Sequence, residues 1–262
     1  MYLFLVDETN KQSKPGQFFI VGGLVIRPDQ IDKVDESVRN HAGVAGYKPG
    51  EKFKFSSNFR PDSISPEAHK VAKSRVIADL RDIGVRMVAA IVLHDIARGQ
   101  NYDQQMNYGL NTLTNSYYGL LSNEDATGIV IIDRDNHRYD HLAKIFQGGL
   151  EYADGGNRKV NDRIRMFAMT THNASNLCAA NDIALGAFRY CVNAAVGDGN
   201  EEAAREMFRD LGSLFWALKN SEGKLKARGF GLVAQPLVEN IRYEPYKVQY
   251  KRLFKKLSSY HK

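Results

Sequence analysis

The chain predicts an α/β fold: a mixed five-stranded sheet flanked by helices, followed by a basic helical C-terminal extension. Three observations carry this. Short apolar runs rich in Val and Ile end at polar turns, at Tyr2 to Asp7, Phe18 to Ile26, Val85 to Leu93, Gly128 to Ile132 and Arg163 to Thr170. Longer amphipathic stretches separate them, and alternation of the two implies a sheet with helices on its faces. The charge is uneven. Lys219 to Lys262 holds eleven Lys and Arg against three Glu, a net of +8 in a chain of net +6, which leaves the rest at −2.

Each element has its own signal. Tyr2 to Asp7 and Phe18 to Ile26 flank a polar loop with Pro15-Gly16 and should pair as an antiparallel hairpin. Pro28 and Asp29 open a helix to about His41. Gly43 to Asn58 is turn-rich, and Lys52-Phe53-Lys54-Phe55 within it alternates charged and aromatic residues. Ser65 as N-cap, Pro66 at the first helical position and Gly84 as stop bracket the next helix. After the third strand come a helix over Asn101 to Ser122, the fourth strand, and a helix over His137 to Tyr152. A polar link from Ala153 to Asn161 leads to the fifth strand, and the next helix should begin near Asn173 to Ser175 and run to Ala195. Glu201 to Lys219 and Tyr246 to Leu257 read as further helices, with Gly223 to Pro245 loop-like between them. The expected division is a domain over 1–200 with a helical insertion at about 28–84, and the extension 201–262 packed on it.

No apolar stretch is long enough to cross a bilayer, and Asp7-Glu8 interrupts the first run too early for a signal segment. Cys178 and Cys191 fall in one predicted helix, about 20 Å apart at 1.5 Å per residue, and cannot bridge. A reducing cytoplasm is the expected compartment, with no membrane partner. An acidic-leaning core with a basic end suits a polyanion that must approach carboxylates.

The carboxylates are placed for chemistry. Asp7 ends the first strand, Asp133 ends the fourth, and Asp182 lies on an otherwise apolar helix. Strand-end acids on neighbouring parallel strands, about 4.8 Å apart, can share a divalent ion. Hard oxygen donors with few histidines favour Mg²⁺ or Mn²⁺ over zinc. Two such ions would serve phosphodiester cleavage. Each acid also has a structural alternative. Asp7 could begin a turn, Asp135 or Asn136 could cap the following helix, and Asp182 could pair with Arg189. Gly186, one turn after Asp182, leaves room for close approach. Phe53 and Phe55, flanking Lys54, are the candidates for stacking on a base. The tyrosines of the long helix read as packing, and His137 and His141 as a solvated face.

Five stretches together resemble the DUF3800 family, found widely in bacteria and phages: Leu5 to Thr9, Phe19 to Ile26, Phe53 to Ser56, Ile131 to Asn136 and Asn181 to Tyr190. The resemblance covers roughly residues 1–195 and implies a ribonuclease H-like fold. It implies Asp7, Asp133 and Asp182 as catalytic, metal-binding carboxylates, with Glu8 as an addition, and Lys54 as a catalytic residue at the scissile phosphate; Glu8 or Asp135 could substitute for a missing fourth metal ligand. The chain departs from the family at Lys52, where a carboxylate is usual, and at Asn181, where Ala is usual. Glu51 stands one residue away from the first, and a one-residue shift in a strand points to the other face.

The expectation is a metal-dependent nuclease acting on RNA or DNA. Lys52, Lys54 and Phe55 would contact nucleic acid near the site, and Lys251, Arg252, Lys255 and Lys256 would hold the strand from the basic end. The alternatives are an inactive binding module on the same fold and a hydrolase of a small phosphate ester. Oligomeric state is open, a homo-oligomer included.

Overall fold

Every residue of Phe18–Ile26 is buried, so this strand must be covered on both faces and paired on both edges. The computed structural model describes residues 1–152, 155–171 and 174–261. In chain order its elements begin with β1 (Tyr2–Thr9), β2 (Phe18–Ile26), α1 (Ile31–Ala45), α2 (Pro66–Ile83), β3 (Arg86–Leu93) and α3 (Tyr102–Asn123). There follow β4 (Gly128–Asp133), α4 (Tyr139–Gly148), β5 (Leu150–Glu151), β6 (Asn157–Arg158), β7 (Ile164–Thr170) and α5 (Asn176–Ala195). The chain closes with α6 (Glu201–Leu211), β8 (Leu218–Lys219), β9 (Leu225–Lys226), β10 (Leu232–Ala234) and α7 (Glu244–Tyr260).

The central sheet has six strands in the order β10-β3-β2-β1-β4-β7. The β1–β2 and β2–β3 pairs are antiparallel, while β1–β4, β4–β7 and β10–β3 are parallel. The α/β class, the first hairpin and the parallel β1–β4 pair are as expected from the sequence. The sixth strand is not. β10 lies within the stretch read as loop-like, because its three residues fall among Gly229, Gly231 and Pro236 and give no periodicity to read.

Apolar side chains alternate between two layers, as the strand period dictates. Leu5, Ile20, Leu24 and Ile91 join a core with α1, α2, α5, α6 and α7. Phe4, Val6, Phe19, Val21 and Val130 join a second core with α3 and α4. Large side chains buried this way contribute roughly 1.5–3 kcal/mol each relative to exposure. The C-terminal extension therefore belongs to the same core: Tyr250, Leu253, Phe254, Leu257 and Tyr260 of α7 are buried in it.

Helix boundaries follow their caps. Ser65 accepts from Ala68 N, Pro66 opens α2, and Gly84 closes it in the left-handed conformation at φ 78°. Asn101 caps α3 through Gln104 N. Ser175 caps α5 through Leu177 N, while Asn173, the earliest expected start, lies outside the described residues. Four readings need correction. β1 runs on to Thr9, because β2 still pairs with it there. The helix expected to reach Tyr152 stops at Gly148, where Gly149 takes φ 88°. Asn157–Arg158 of the expected polar link is a strand paired with Leu150–Glu151; Ala153 of that link lies outside the described residues. The helix expected to reach Lys219 ends at Leu211, and Phe215 and Trp216 turn into the two cores. Among the described residues no helix is long and apolar enough to cross a membrane.

Candidate active site at the carboxyl ends of the parallel strands

β1, β4 and β7 run parallel, so their carboxyl ends share one edge of the sheet, the usual place for a site in such sheets. The last recorded β1–β4 partners are Val6 and Ile132, and Asp7 and Asp133 are the next residue on each strand. Asp7 follows the face of Leu5 and Asp133 that of Ile131, both on the α5 side. The two acids line one narrow crevice together with Thr170, Cys178 and Asn181. The structure therefore brings Asp7 and Asp133 together as the sequence led us to expect.

The electrostatics of the crevice are unfavourable to its own charges. Burial pushes the Asp7 carboxyl up from 3.8 to about 8, and the charges of Glu8, Asp133 and Asp182 push in the same direction. The backbone N–H of Glu8, 2.8 Å from Asp7 Oδ1, acts against this. Asp133 accepts from the backbone N–H of Arg134 at 2.9 Å.

Asp182 stands one step away. It lines a larger neighbouring cavity of about 690 Å³, and Cys178 borders both this cavity and the crevice. Its Oδ2 accepts from Phe55 N at 2.7 Å, where the sequence offered Arg189 as a partner. Arg189 instead lies 3.5 Å from Thr9 Oγ1. The Phe55 segment comes this close to α5 because Gly186 has no side chain: a Cβ there would lie 2.4 Å from Phe55 Cβ. Lys54 lines the same cavity as Asp182, with its Nζ 4.9 Å from the Phe59 ring centroid. Lys52 lines it as well. Glu51 is turned to a local task, accepting from Lys48 N at 2.8 Å.

Other expected contributors lie elsewhere. Glu8 projects to the α3 face, where Tyr102 donates to it at 2.8 Å and Lys11 pairs with it. Asp135 caps the turn at His137 N and pairs with Arg138 at 2.9 Å. That guanidinium is 1% exposed and also meets Asp103 and Asn107 of α3. Phe55 and Phe53 are corrected as stacking candidates, because both rings are buried in the α5-side core. Of the C-terminal cations, Lys251 pairs with Glu244 and Lys256 with Glu201, while Arg252 and Lys255 are exposed. His141 is not simply solvated: its Nε2 lies 3.0 Å from Asn111 Oδ1.

Two residues that the sequence did not propose as contributors help build the site. Lys73 of α2 donates to Phe55 O at 2.7 Å and lies 4.3 Å from that ring's centroid. Burial lowers its ammonium to about 8, against the favourable charge of Asp182. Phe55 is thus held on both sides of its backbone, by Lys73 and by Asp182. The available signal was a lysine four residues from both His69 and Ile77, on the buried stripe of α2. The second is Asn181, 4% exposed, whose Oδ1 accepts from Leu24 N at 2.8 Å. The β1–β2 partners are recorded up to Phe4↔Val25 and again from Asp7↔Gly22, so this side chain serves the ladder between them. Gly23 makes room for it: a Cβ there would lie 2.6 Å from that oxygen. An Ala at this position could not make this bond.

Among the described residues no three His, Cys, Asp or Glu side chains converge into a complete metal cage. The donor set nevertheless fits a hard divalent cation. Mg²⁺ is commonly held by one or two carboxylates and keeps several waters. Two acids at adjacent strand ends, with a third behind them, have charge to share with such an ion. No protein-family model, no curated protein and no solved structure matches this chain.

Proposed function

We propose that this chain is a divalent-metal-dependent nuclease of ribonuclease H-like fold, related to the DUF3800 family, which hydrolyses phosphodiester bonds in RNA or DNA. The observation that carries the reading is the pair Asp7 and Asp133, side by side on one face at the ends of β1 and β4. The three antiparallel strands β1–β3 continued in parallel by β4 and β7 support the fold assignment.

Asp7 and Asp133 would hold Mg²⁺ or Mn²⁺, with Asp182 as the acid nearest a second ion. When bound, the ion supplies Lewis acidity at the phosphoryl oxygen and an activated water. The chain's own residues do the rest. Lys54 offers a cation to the phosphate beside Asp182. Lys73 and Asp182 fix the Phe55 backbone and so the position of Lys54. A bound cation would favour the charged form of Asp7, against the burial and the neighbouring acids that push its pKa up.

A second reading keeps the fold without the chemistry. It draws on the crevice, which contains two carboxylates where a complete cage has three or more. Cleavage of labelled single-stranded, duplex and hybrid oligonucleotides with Mn²⁺, Mg²⁺ or EDTA separates the readings. The nuclease reading expects metal-dependent cutting that is lost in Asp133→Asn. Salt-sensitive binding without cutting, equal in both proteins, favours the scaffold. Cutting confined to free nucleotides favours a small phosphate ester.

A further inference from the structure

The large cavity beside the acids has a composition that the metal chemistry does not explain. At about 690 Å³ it lies within the roughly 300–1,000 Å³ range of small-ligand sites. Val38, Ala42 and Tyr47 give it an apolar wall, and Lys48, Lys52 and Lys54 give it three ammonium groups. No carboxylate among the described residues forms an ion pair with these three lysines. The acids of the same lining are engaged: Asp35 with Arg39, Glu51 with Lys48 N and Asp182 with Phe55 N. Apolar surface next to uncompensated ammonium groups suits a ligand with one flat apolar part and one anionic part. Cys178 and Asp182 set the location: both line the cavity, and Cys178 also borders the crevice of Asp7 and Asp133.

We propose that this cavity receives one unpaired nucleotide of the strand to be cut, its base against the apolar wall and its phosphates against Lys48, Lys52 and Lys54. The substrate is then single-stranded nucleic acid, or a strand with an unpaired nucleotide at the cut. In a duplex the bases are stacked and paired, and a base enters a half-enclosed pocket only after it is extruded. Cationic grooves with apolar platforms are the general solution for single strands. This inference rests on the nuclease reading for its geometry but not for its test.

Cys178 provides the readout, because it lines the cavity half-buried while Cys191 is wholly buried. The rate at which a maleimide modifies Cys178 is measured in EDTA, where no metal-dependent cutting occurs, with Cys178→Ser as the blank. A short single-stranded oligonucleotide is expected to slow modification several-fold, and a blunt duplex of the same sequence is not. Reversal of the two exposed lysines, Lys48→Glu with Lys52→Glu, should remove the protection while circular dichroism shows an unchanged fold. Equal protection by duplex and single strand, or none by either, overturns the proposal. So does protection by inorganic phosphate or a free mononucleotide equal to that of the oligonucleotide. Cutting with Mn²⁺ but no protection leaves the nuclease reading standing and this one overturned; protection without cutting does the reverse.

Discussion

On the α3 face of the sheet edge, Glu8 accepts from Tyr102 and pairs with Lys11, and Asp135 caps a turn and meets the buried Arg138. On the α5 face, one residue before Glu8 and two before Asp135, Asp7 and Asp133 face each other across a crevice with Asp182 behind them. Both sides carry carboxylates. On the α3 face Glu8 pairs with Lys11 and Asp135 with Arg138, which gives stability. On the other, burial and then the charges of Glu8, Asp133 and Asp182 push the Asp7 carboxyl up, which costs stability and is the signature of a site prepared for something else. For Asp7 and Glu8 the strand period separates the two fates, since adjacent residues point to opposite faces; Asp135 lies past the end of β4 and caps the turn that follows.

The sharpest way to break this contrast is by neutralising acids on each side. Asp7→Asn or Asp133→Asn should abolish metal-dependent cleavage, whereas Glu8→Gln and Asp135→Asn should retain it within a few-fold. Oligonucleotide cleavage under identical conditions reads this directly, and a reversed order would exchange the roles of the two faces.

The next largest effect concerns stability on the α3 side. Arg138 is almost wholly buried between Asp103, Asn107 and Asp135. Arg138→Ala is expected to destabilise by about 3–5 kcal/mol in denaturant unfolding, the range for breaking a buried ion pair. A loss below about 1 kcal/mol would mean that the network contributes little.

On the α5 side, neutralising an acid should stabilise, in a pH-dependent way. In the metal-free protein Asp7 keeps its proton up to about pH 8, while the unfolded chain releases it near 3.8. Between these values the folded state binds more protons, so stability falls as pH rises. Asp7→Asn removes that slope and should be more stable than wild type by about 1–3 kcal/mol at pH 8, with the difference vanishing toward pH 4. Unfolding curves at pH 4, 6 and 8 check it, and a wild type that is the more stable at pH 8 would contradict it.

The smallest effect lies on α7. Lys256→Ala removes an exposed pair with Glu201 and should cost no more than about 1 kcal/mol. If the basic helix holds substrate, the same change weakens oligonucleotide binding and lowers its salt dependence.

Much of this arrangement was legible in the chain. The strand-end positions of Asp7 and Asp133, the capping of α2 by Ser65 and its stop at Gly84, and the space at Gly186 follow from local rules. What the chain concealed depends on tertiary contact. Phe53 and Phe55 alternate with lysines as if they edged a groove, yet Gly186 and the Tyr47–His69 pair draw both rings into the core. Asn181 looked like a flaw and serves the sheet backbone through a partner 157 residues away. β10 is too short for periodicity and exists because β3 offers it an edge. Glu8 entered with the metal ligands through the family resemblance and Asp135 as a substitute for a missing one, and neither argument weighs the partners, Tyr102, Lys11 and Arg138, that the fold supplies.

The most direct test is calorimetric titration of Mn²⁺ into the wild type, Asp7→Asn and Glu8→Gln at pH 7. We expect saturable binding by the wild type and Glu8→Gln, and its loss in Asp7→Asn. Undiminished binding by Asp7→Asn, or loss in Glu8→Gln alone, would contradict the assignment of the α5 face as the metal-binding side.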